Sequence, residues 1–336
     1  MAAEITDVHH VMETIMNSLS ILFNCYLLYL IKYYSTFGVK LYQYLLTIDA
    51  ILDLCLGVGA LLAQPVGLTG NGYTVMISNG FFTGHSTFLE SLTATFYLVI
   101  LHTNIIWIPV QFVYRYRLLC KKSGKSIHID ILIISVTITY SIIALKVLAS
   151  FSEVRDEYQS IGQHVLGLNN WPSYKYGFIM GGHIKEWRMI AYVLLWTTTS
   201  ATSIFIVIWC EKMIAKNFNQ LCDMSHASTR RMHKEFQRAL LAMAICPLFT
   251  TSMPVFYFMT TIAFQLCPGR VSAIMTICLS SISLFNPLTT IICFRCYRRA
   301  AARLLTCGRY NKDSVNSLTN VNAATSTNKS NVKVIA

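Results

Sequence analysis

Long apolar stretches separated by short polar segments dominate the hydrophobic pattern along the chain. A helix needs about twenty mostly apolar residues to cross a bilayer, and seven stretches reach this length. Their predicted bounds are 12–33, 43–64, 92–113, 130–151, 189–210, 238–262 and 273–294. The pattern therefore predicts an all-α membrane protein with seven spanning helices.

The segments outside these stretches differ in composition. Residues 66–88 are Gly-rich and uncharged, and residues 152–188 have a mixed composition, so both are predicted as loops. Residues 311–336 are rich in Asn, Ser and Thr, which predicts a disordered tail after a helical domain over residues 1–310. No internal repeat of fixed period is visible in the sequence, which disfavours transporter folds built from duplicated halves.

The basic residues lie mainly on one side of the predicted membrane. The chain has 27 Lys and Arg residues against 15 Asp and Glu residues, and a net charge of +12. Of the basic residues, 21 fall in segments that share one side and five in segments on the other. Because basic loops favour the cytoplasm, the N-terminus is predicted outside and the C-terminus in the cytosol. Membrane lipids, and not nucleic acid, are the partners that this charge predicts.

A cluster of arginines follows the seventh stretch directly, in "CFRCYRRAAARLLTCGRY". Their spacing predicts a short basic helix over residues 295–307 on the inner leaflet, where anionic lipid contributes about 1 kcal/mol per charge. Cys307 lies at its end. Two interpretations of this thiol are open, a palmitoylation site and a free cysteine.

Residue patterns that carry catalysis or hold metals do not occur in the sequence. It contains no metal-ligand spacing, no nucleophile elbow and no Gly-rich phosphate loop. The chain is therefore predicted not to be an enzyme and to need neither a cofactor nor a metal.

Two aspartates interrupt the second apolar stretch. Asp49 and Asp53 are four residues apart, so they share one helical face, which must point into the bundle at membrane depth. One interpretation is a polar cluster that joins helices. The other is an ion-coupled or proton-coupled site, which would make the protein a transporter or an ion channel.

A mixed polar and aromatic stripe begins the third stretch. Glu90, Thr93 and Tyr97 follow one another at helical spacing from its outer end, and Trp196 and Tyr257 add aromatic rings from the fifth and sixth stretches. These five residues are the predicted walls of a ligand cavity. Interaction of Glu90 with the helix dipole and ordinary packing of the rings are the alternative interpretations.

Prolines interrupt two of the predicted helices. Pro247 in the sixth and Asn286-Pro287 in the seventh remove backbone donors, which predicts kinks in these helices. At the inner end of the third helix, "PVQFVYRYRLLCKK" changes abruptly from apolar to basic, with Arg115 at the boundary.

Seven spans, an outside N-terminus, Arg115 at the inner end of the third helix and Asn-Pro in the seventh together resemble a G-protein-coupled receptor. More narrowly, "NGYTVMISNGFF", "PVQFVYRYRLL" and "FNPLTTIICFRCYRR" look like the nematode serpentine chemoreceptors of the Str superfamily, class delta. The resemblance implies a plasma-membrane receptor in the cilium of chemosensory neurons. Such a receptor detects a small environmental molecule and signals to a heterotrimeric G protein.

The resemblance also implies roles for individual residues. G-protein coupling and switching are expected of Tyr114, Arg115, Tyr116, Arg230, Arg231, Lys234, Pro247, Asn286 and Pro287. The chain departs from rhodopsin-like receptors in three ways. Tyr114 replaces an acid, no tyrosine follows the Asn-Pro pair at the usual spacing, and no cysteine lies near Glu90 to form the usual outer disulfide.

Overall fold

The computed structural model describes residues 2–34, 40–83, 87–120, 142–143, 155–169, 171, 177–223, 242, 245, 250, 253–254, 256–258, 260–261, 264–266 and 269–305. The predicted fourth helix at 130–151 therefore lies outside the described residues apart from two positions, and the sixth at 238–262 is described only at scattered positions. Arg230, Arg231, Lys234, Pro247, Cys307 and the tail at 311–336 also lie outside them.

Helices make up most of the described chain. They are α1 (Ala2–Tyr34), α2 (Lys40–Ala63), α3 (Thr87–Cys120), α4 (Arg155–Leu168), α5 (Trp187–Asp223), α6 (Gly269–Ser280), α7 (Ile282–Cys293) and α8 (Arg295–Leu305). Within the described residues, α1, α2, α3 and α5 are each long and apolar enough to cross a membrane. The bent pair α6 and α7 forms a fifth span if counted as one.

The seventh apolar stretch is not one continuous helix. It forms α6 and α7, whose axes meet at 46°. Pro287 has no N–H to donate, so the carbonyl of Ser283 one turn earlier lacks its helical partner. Asn24 of α1 replaces that partner, because its Nδ2 donates to the Ser283 carbonyl at 2.8 Å. The hydroxyls of Ser281 and Ser283 donate to carbonyls of the preceding turn, which favours the bend.

A second proline lies inside α3. Pro109 lies inside this helix, where no kink was predicted. Its missing N–H frees the carbonyl of Ile105, and the hydroxyl of Ser203 in α5 donates to that oxygen at 3.3 Å. The helix therefore continues past Pro109 to Cys120, and Arg115 lies within it.

The segment at 66–88, predicted as a loop, contains two strands instead. β1 (Pro65–Gly70) and β2 (Tyr73–Ser78) form an antiparallel hairpin, and β3 (Gly177–His183) pairs with β2 on its other side. Asn71 and Gly72 form the turn with φ values of 52° and 79°. Asn-Gly favours this two-residue hairpin turn, so the signal was present in the sequence.

The sheet, α4 and Trp171 form a cap over one end of the bundle, called the sheet cap below. Its apolar core consists of Val66, Leu68, Val75, Ile77, Val165, Leu166, Trp171 and Ala273. The backbone N–H of Gly67 donates to Thr276 Oγ1 at 3.3 Å, and a Cβ on Gly67 would lie 3.0 Å from the ring of Phe258. The hairpin therefore rests directly on α6 and on the sixth predicted helix.

Replacing Gly80 with alanine is expected to lower the unfolding temperature of the purified receptor. A Cβ at Gly80 would lie 1.9 Å from the carbonyl oxygen of Leu62, a backbone atom that cannot rotate away. Such overpacking costs about 1–3 kcal/mol or more. Gly167→Ala is the control, because Gly167 is exposed, its Cβ would meet no described atom within 4 Å, and alanine has a higher helix propensity than glycine. Equal unfolding temperatures for the two variants would contradict this packing.

Candidate ligand cavity and interior polar network

A cavity of about 110 Å³ lies beneath the sheet cap, between α3, α5 and α6. Its walls are almost entirely apolar. They consist of Gly67, Thr74, Met76, Leu98, Leu101, Met189, Tyr192, Val193, Trp196, Pro254, Phe258, Thr276 and Leu279. An engineered apolar cavity of about 150 Å³ holds benzene, so the space suits a small organic molecule.

The rings of Tyr192 and Trp196 line the cavity, and the ring of His102 packs against Trp196. The ring of His102 lies edge-on to Trp196 with centroids 4.6 Å apart, and Tyr192 lies 5.9 Å from Trp196. The Nδ1 of His102 is 2.8 Å from the carbonyl oxygen of Leu98 one turn earlier, which fixes the imidazole. The indole N–H of Trp196 is buried and has no hydrogen-bond partner among the described residues. It is a donor that a bound molecule can use.

The five residues predicted to line a ligand site have different positions. Trp196 lines the cavity, and Tyr97 is fully buried in the hydrophobic cluster that surrounds it. Tyr257 precedes the lining residue Phe258, and its hydroxyl lies 3.5 Å from Ser272 Oγ. Glu90 and Thr93 are buried in the first two turns of α3, where the Thr93 hydroxyl donates to carbonyls of its own helix.

Several lining residues were not among the predicted site residues. Met189, Tyr192 and Val193 precede Trp196 at spacings of seven, four and three residues, which is a single helical stripe. That periodicity was available in the sequence. The contribution of Met76 was not, because it depends on folding the segment before α3 back over the bundle.

The buried carboxylate of Asp53 joins three helices. Its Oδ1 accepts a hydrogen bond from Asn104 Nδ2 of α3 at 2.8 Å and another from Asn286 Nδ2 of α7 at 3.2 Å. One turn earlier, Asp49 Oδ1 accepts from Gln111 Nε2 of α3 at 2.5 Å. Together with the bond from Asn24 to α7, these contacts tie α1, α2, α3 and α7 together. They are the contacts that the helix-joining interpretation requires.

Replacing Asp53 with alanine is expected to destabilise the bundle. The amide groups of Asn104 and Asn286 would lose their acceptor in a buried site, and each unsatisfied group costs about 1–3 kcal/mol. Asp53→Asn keeps an acceptor oxygen and should lower the unfolding temperature less. Thermal unfolding in detergent measures the difference. An alanine variant as stable as wild type would show that the three-helix junction contributes nothing.

Aromatic contacts join α3 and α5 at the end that carries Arg115. The ring of Tyr116 lies 5.5 Å from that of Trp209, and the guanidinium of Arg117 lies 5.8 Å from the ring of Tyr114. Arg115 is placed in α3 by its backbone, and its side chain lies outside the described part of the structure. No disulfide joins the cysteines whose side chains are described, which are Cys25, Cys55, Cys210, Cys278, Cys293 and Cys296.

The basic helix α8 follows α7 after a single extended residue, Phe294. Its buried face carries Tyr297, Ala300 and Ala301, which pack with Leu27 of α1 in one hydrophobic cluster. The arginines, by contrast, are half-buried or exposed. The helix is therefore amphipathic, as expected for one that lies on a lipid surface.

A bundle of long apolar helices, a buried Asp–Asn junction and a cavity beneath a sheet are features of a receptor of the G-protein-coupled type. The fold supports that class directly. The crystal structure of squid rhodopsin is similar to this chain with a TM-score of 0.54 at 11% identity, over 92% of this chain and 89% of the rhodopsin chain.

The sequence comparisons identify the family. A family model described as "Serpentine type 7TM GPCR chemoreceptor Str" matches residues 9–302, and the chain belongs to this family. Serpentine receptor class delta-33 of Caenorhabditis elegans is 26% identical over 298 residues, covering 87% of this chain and 84% of that receptor. The protein is thus a seven-transmembrane chemosensory receptor, and the expected resemblance to class delta is supported by this relative.

Proposed function

We propose that this receptor detects a small environmental molecule in the cavity beneath the sheet cap and signals to a heterotrimeric G protein. The observation that carries the proposal is the cavity itself, which is lined by the hairpin and bounded by three helices. Its apolar walls and the free indole N–H of Trp196 favour a small, largely apolar ligand with one hydrogen-bond acceptor. The receptor has no catalytic step in this proposal.

The ligand would act by favouring one packing of the helices over another. A ligand shifts such an equilibrium only when it binds one arrangement more tightly. Pro254 and Phe258 of the sixth predicted helix and Leu279 of α6 all line the cavity, so occupation biases how these helices pack. The bend between α6 and α7 and the hydrogen bond from Asn286 to Asp53 adjoin this part of α6. These contacts support a switching role for Asn286 and Pro287 in the proposal.

The coupling surface is placed at the end of α3 opposite the cavity. In the proposal, Arg115 with its neighbours Tyr114 and Tyr116 forms one wall of a cleft for the G protein. The basic residues Arg230, Arg231 and Lys234 form the other wall, and Pro247 permits the sixth helix to move. The predominance of basic residues in these segments supports a cytosolic location.

The same charge distribution supports the proposed orientation, and membership of the chemoreceptor family supports the proposed location. The proposal places the N-terminus outside, the C-terminus in the cytosol and the receptor in the plasma membrane of the sensory cilium of chemosensory neurons. Amphipathic α8, with its exposed arginine Arg298, would lie on the inner leaflet. Palmitoylation of Cys307 would add a second anchor beside this helix.

A screen of volatile and other small, largely apolar compounds on cells that express the receptor tests this function. Second-messenger change and membrane current are recorded together, with cells lacking the receptor as control. A compound that evokes a second-messenger response only with the receptor present supports the proposal. Current or substrate flux that persists when G proteins are inactivated would instead favour a transporter or channel that uses Asp49 and Asp53.

A further inference from the structure

Three polar side chains of α1 lie on the face that packs into the bundle near the sheet cap. His9, Glu13 and Asn17 are spaced by four residues and therefore form one stripe. Their exposed fractions are 2%, 0% and 0%. From Asp7 to Tyr34 the helix is long and apolar enough to cross a membrane, and the stripe lies within the first turns of this candidate span. Ionisable side chains at this depth are normally paired or functional.

The polar atoms of this stripe are only partly paired. Glu13 Oε2 accepts a hydrogen bond from Asn17 Nδ2 at 2.8 Å. Glu13 Oε1 lies 3.8 Å from His9 Nε2, and the Glu13 carboxyl also interacts with the Ser280 side chain of α6. No described residue makes a hydrogen bond of ordinary geometry to Oε1. Both ring nitrogens of His9 and the Oδ1 of Asn17 are likewise buried without hydrogen-bond partners among the described residues. Buried polar atoms in this state each cost about 1–3 kcal/mol, so such a concentration requires an explanation.

Two further hydroxyl groups face the stripe from neighbouring helices. Tyr97 of α3 and Ser280 of α6 are buried, and both interact electrostatically with this region of α1. The Ser280 side chain interacts with both Glu13 and Tyr97, but neither hydroxyl makes a hydrogen bond of ordinary geometry with a described residue. The ring of Trp171 lies edge-on to His9 at 6.4 Å. We call the group formed by His9, Glu13, Asn17, Tyr97 and Ser280 the amine cluster.

The chemistry of the cluster fits a cation that donates hydrogen bonds. Glu13 provides one carboxylate, and no Lys or Arg among the described residues pairs with it. Asn17 Oδ1 and the hydroxyls add acceptors around it. An ammonium group carries three donors and one positive charge, and the ring of Tyr97 adds an aromatic neighbour. A metal ion fits less well, because the described residues contain no group of three side chains that would hold one.

We propose that the amine cluster binds a small protonated primary amine, in a site separate from the apolar cavity. Leu98 and Leu279, the sequence neighbours of Tyr97 and Ser280, line the cavity. The amine site therefore lies on the α1 side of the same two helices. The ammonium donates to Glu13 Oε1, to Asn17 Oδ1 and to one hydroxyl oxygen. This inference does not depend on the function proposed for the cavity.

Thermal unfolding of the purified full-length receptor in detergent, with methylammonium chloride as the probe, tests the site. The unfolding temperature of wild type should rise with probe concentration and saturate, whereas equal concentrations of sodium chloride and methanol should produce no such rise. Glu13→Gln should weaken the apparent affinity about ten- to hundredfold, because a hydrogen bond to a charged group is lost with the charge. Asp7→Asn, which removes an exposed carboxyl from the same helix, should leave the affinity unchanged.

Tyr97→Phe decides the result if Glu13→Gln does not fold. This substitution keeps the ring and removes only the hydroxyl oxygen, so it should weaken methylammonium binding about tenfold with little change in the unfolding temperature of the free receptor. Three results would overturn the proposal: no saturable rise in wild type, an equal rise with sodium chloride or methanol, or an undiminished rise in the folded cluster variants. Because the readout is unfolding and not signalling, failure of the cavity proposal would leave this result unaffected.

Discussion

Receptors with Arg115→Ala are expected to bind the cavity ligand normally and to lose ligand-evoked second-messenger signalling. Arg115 is fourteen residues beyond the lining residue Leu101 in the same helix, a distance of about 21 Å at 1.5 Å per residue. The substitution therefore leaves the cavity unchanged and removes a charge from the proposed coupling surface. The maximal response should fall to the level of cells without receptor, measured at equal surface expression.

Arg117→Ala is the matched control for this variant. It also removes a basic residue from the end of α3, but the guanidinium of Arg117 lies over the ring of Tyr114, a contact that contributes about 0.5–1 kcal/mol. Signalling should persist with at most a small loss of stability. Equal signalling by wild type and Arg115→Ala would refute the role assigned to Arg115. Equal loss in both variants would show a general requirement for positive charge.

Filling the cavity should weaken ligand detection without affecting the fold. Val193 lines the cavity from α5, and phenylalanine at this position would occupy a large part of the 110 Å³ space. The ligand would clash with the new ring in the smaller cavity, and such overpacking costs about 1–3 kcal/mol. This cost corresponds to about a ten- to hundredfold rise in the half-maximal ligand concentration. The measurement is the dose–response curve of the most potent compound found in the screen.

Leu194→Phe separates this effect from a general effect on α5. Leu194 is the next residue in the helix, but its side chain is 57% exposed and points away from the cavity. The dose–response curve of this variant should match that of wild type within about twofold. If both variants respond normally, the ligand binds elsewhere. If both fail at normal surface expression, the helix and not the cavity determines the response.

Polar residues inside the apolar stretches indicated which helix faces would pack against other helices. Asp49 and Asp53 were expected to face the interior because a charge at membrane depth is expensive, and both are buried. Which amides would meet them was not predictable. Asn104 and Asn286, which donate to Asp53, are 51 and 233 residues away in the chain.

For the prolines, too, the sequence predicts the local effect on the helix but not the residue from another helix that compensates for it. The sequence indicates that Pro287 frees a carbonyl in its helix, because this follows from the missing N–H. It does not indicate that Asn24, 259 residues from Ser283, donates to that carbonyl. Pro109 was overlooked because the apolar stretch was expected to end near it, whereas Ser203 of α5 satisfies the freed Ile105 carbonyl and the helix continues.

The burial of His9, Glu13 and Asn17 could not be predicted from the sequence. In the sequence, Glu13 contributes only to the acidic excess on the outer side, and His9 and Asn17 carry no recognisable motif. Their common helical face is a local property, but their burial depends on the approach of α3 and α6. The hairpin is the opposite case, since Asn71-Gly72 between two apolar runs predicts it locally.

The sequence by itself determined the membrane class, most helix positions, the asymmetry of charge and the resemblance to serpentine receptors. These properties depend on residues close together in the chain, because hydrophobicity and helix periodicity add up over consecutive positions. Only the tertiary structure decided the cavity beneath the sheet cap, the junction at Asp53 and the amine cluster. Each brings together side chains from three or more separate elements, and their meeting depends on how those elements pack.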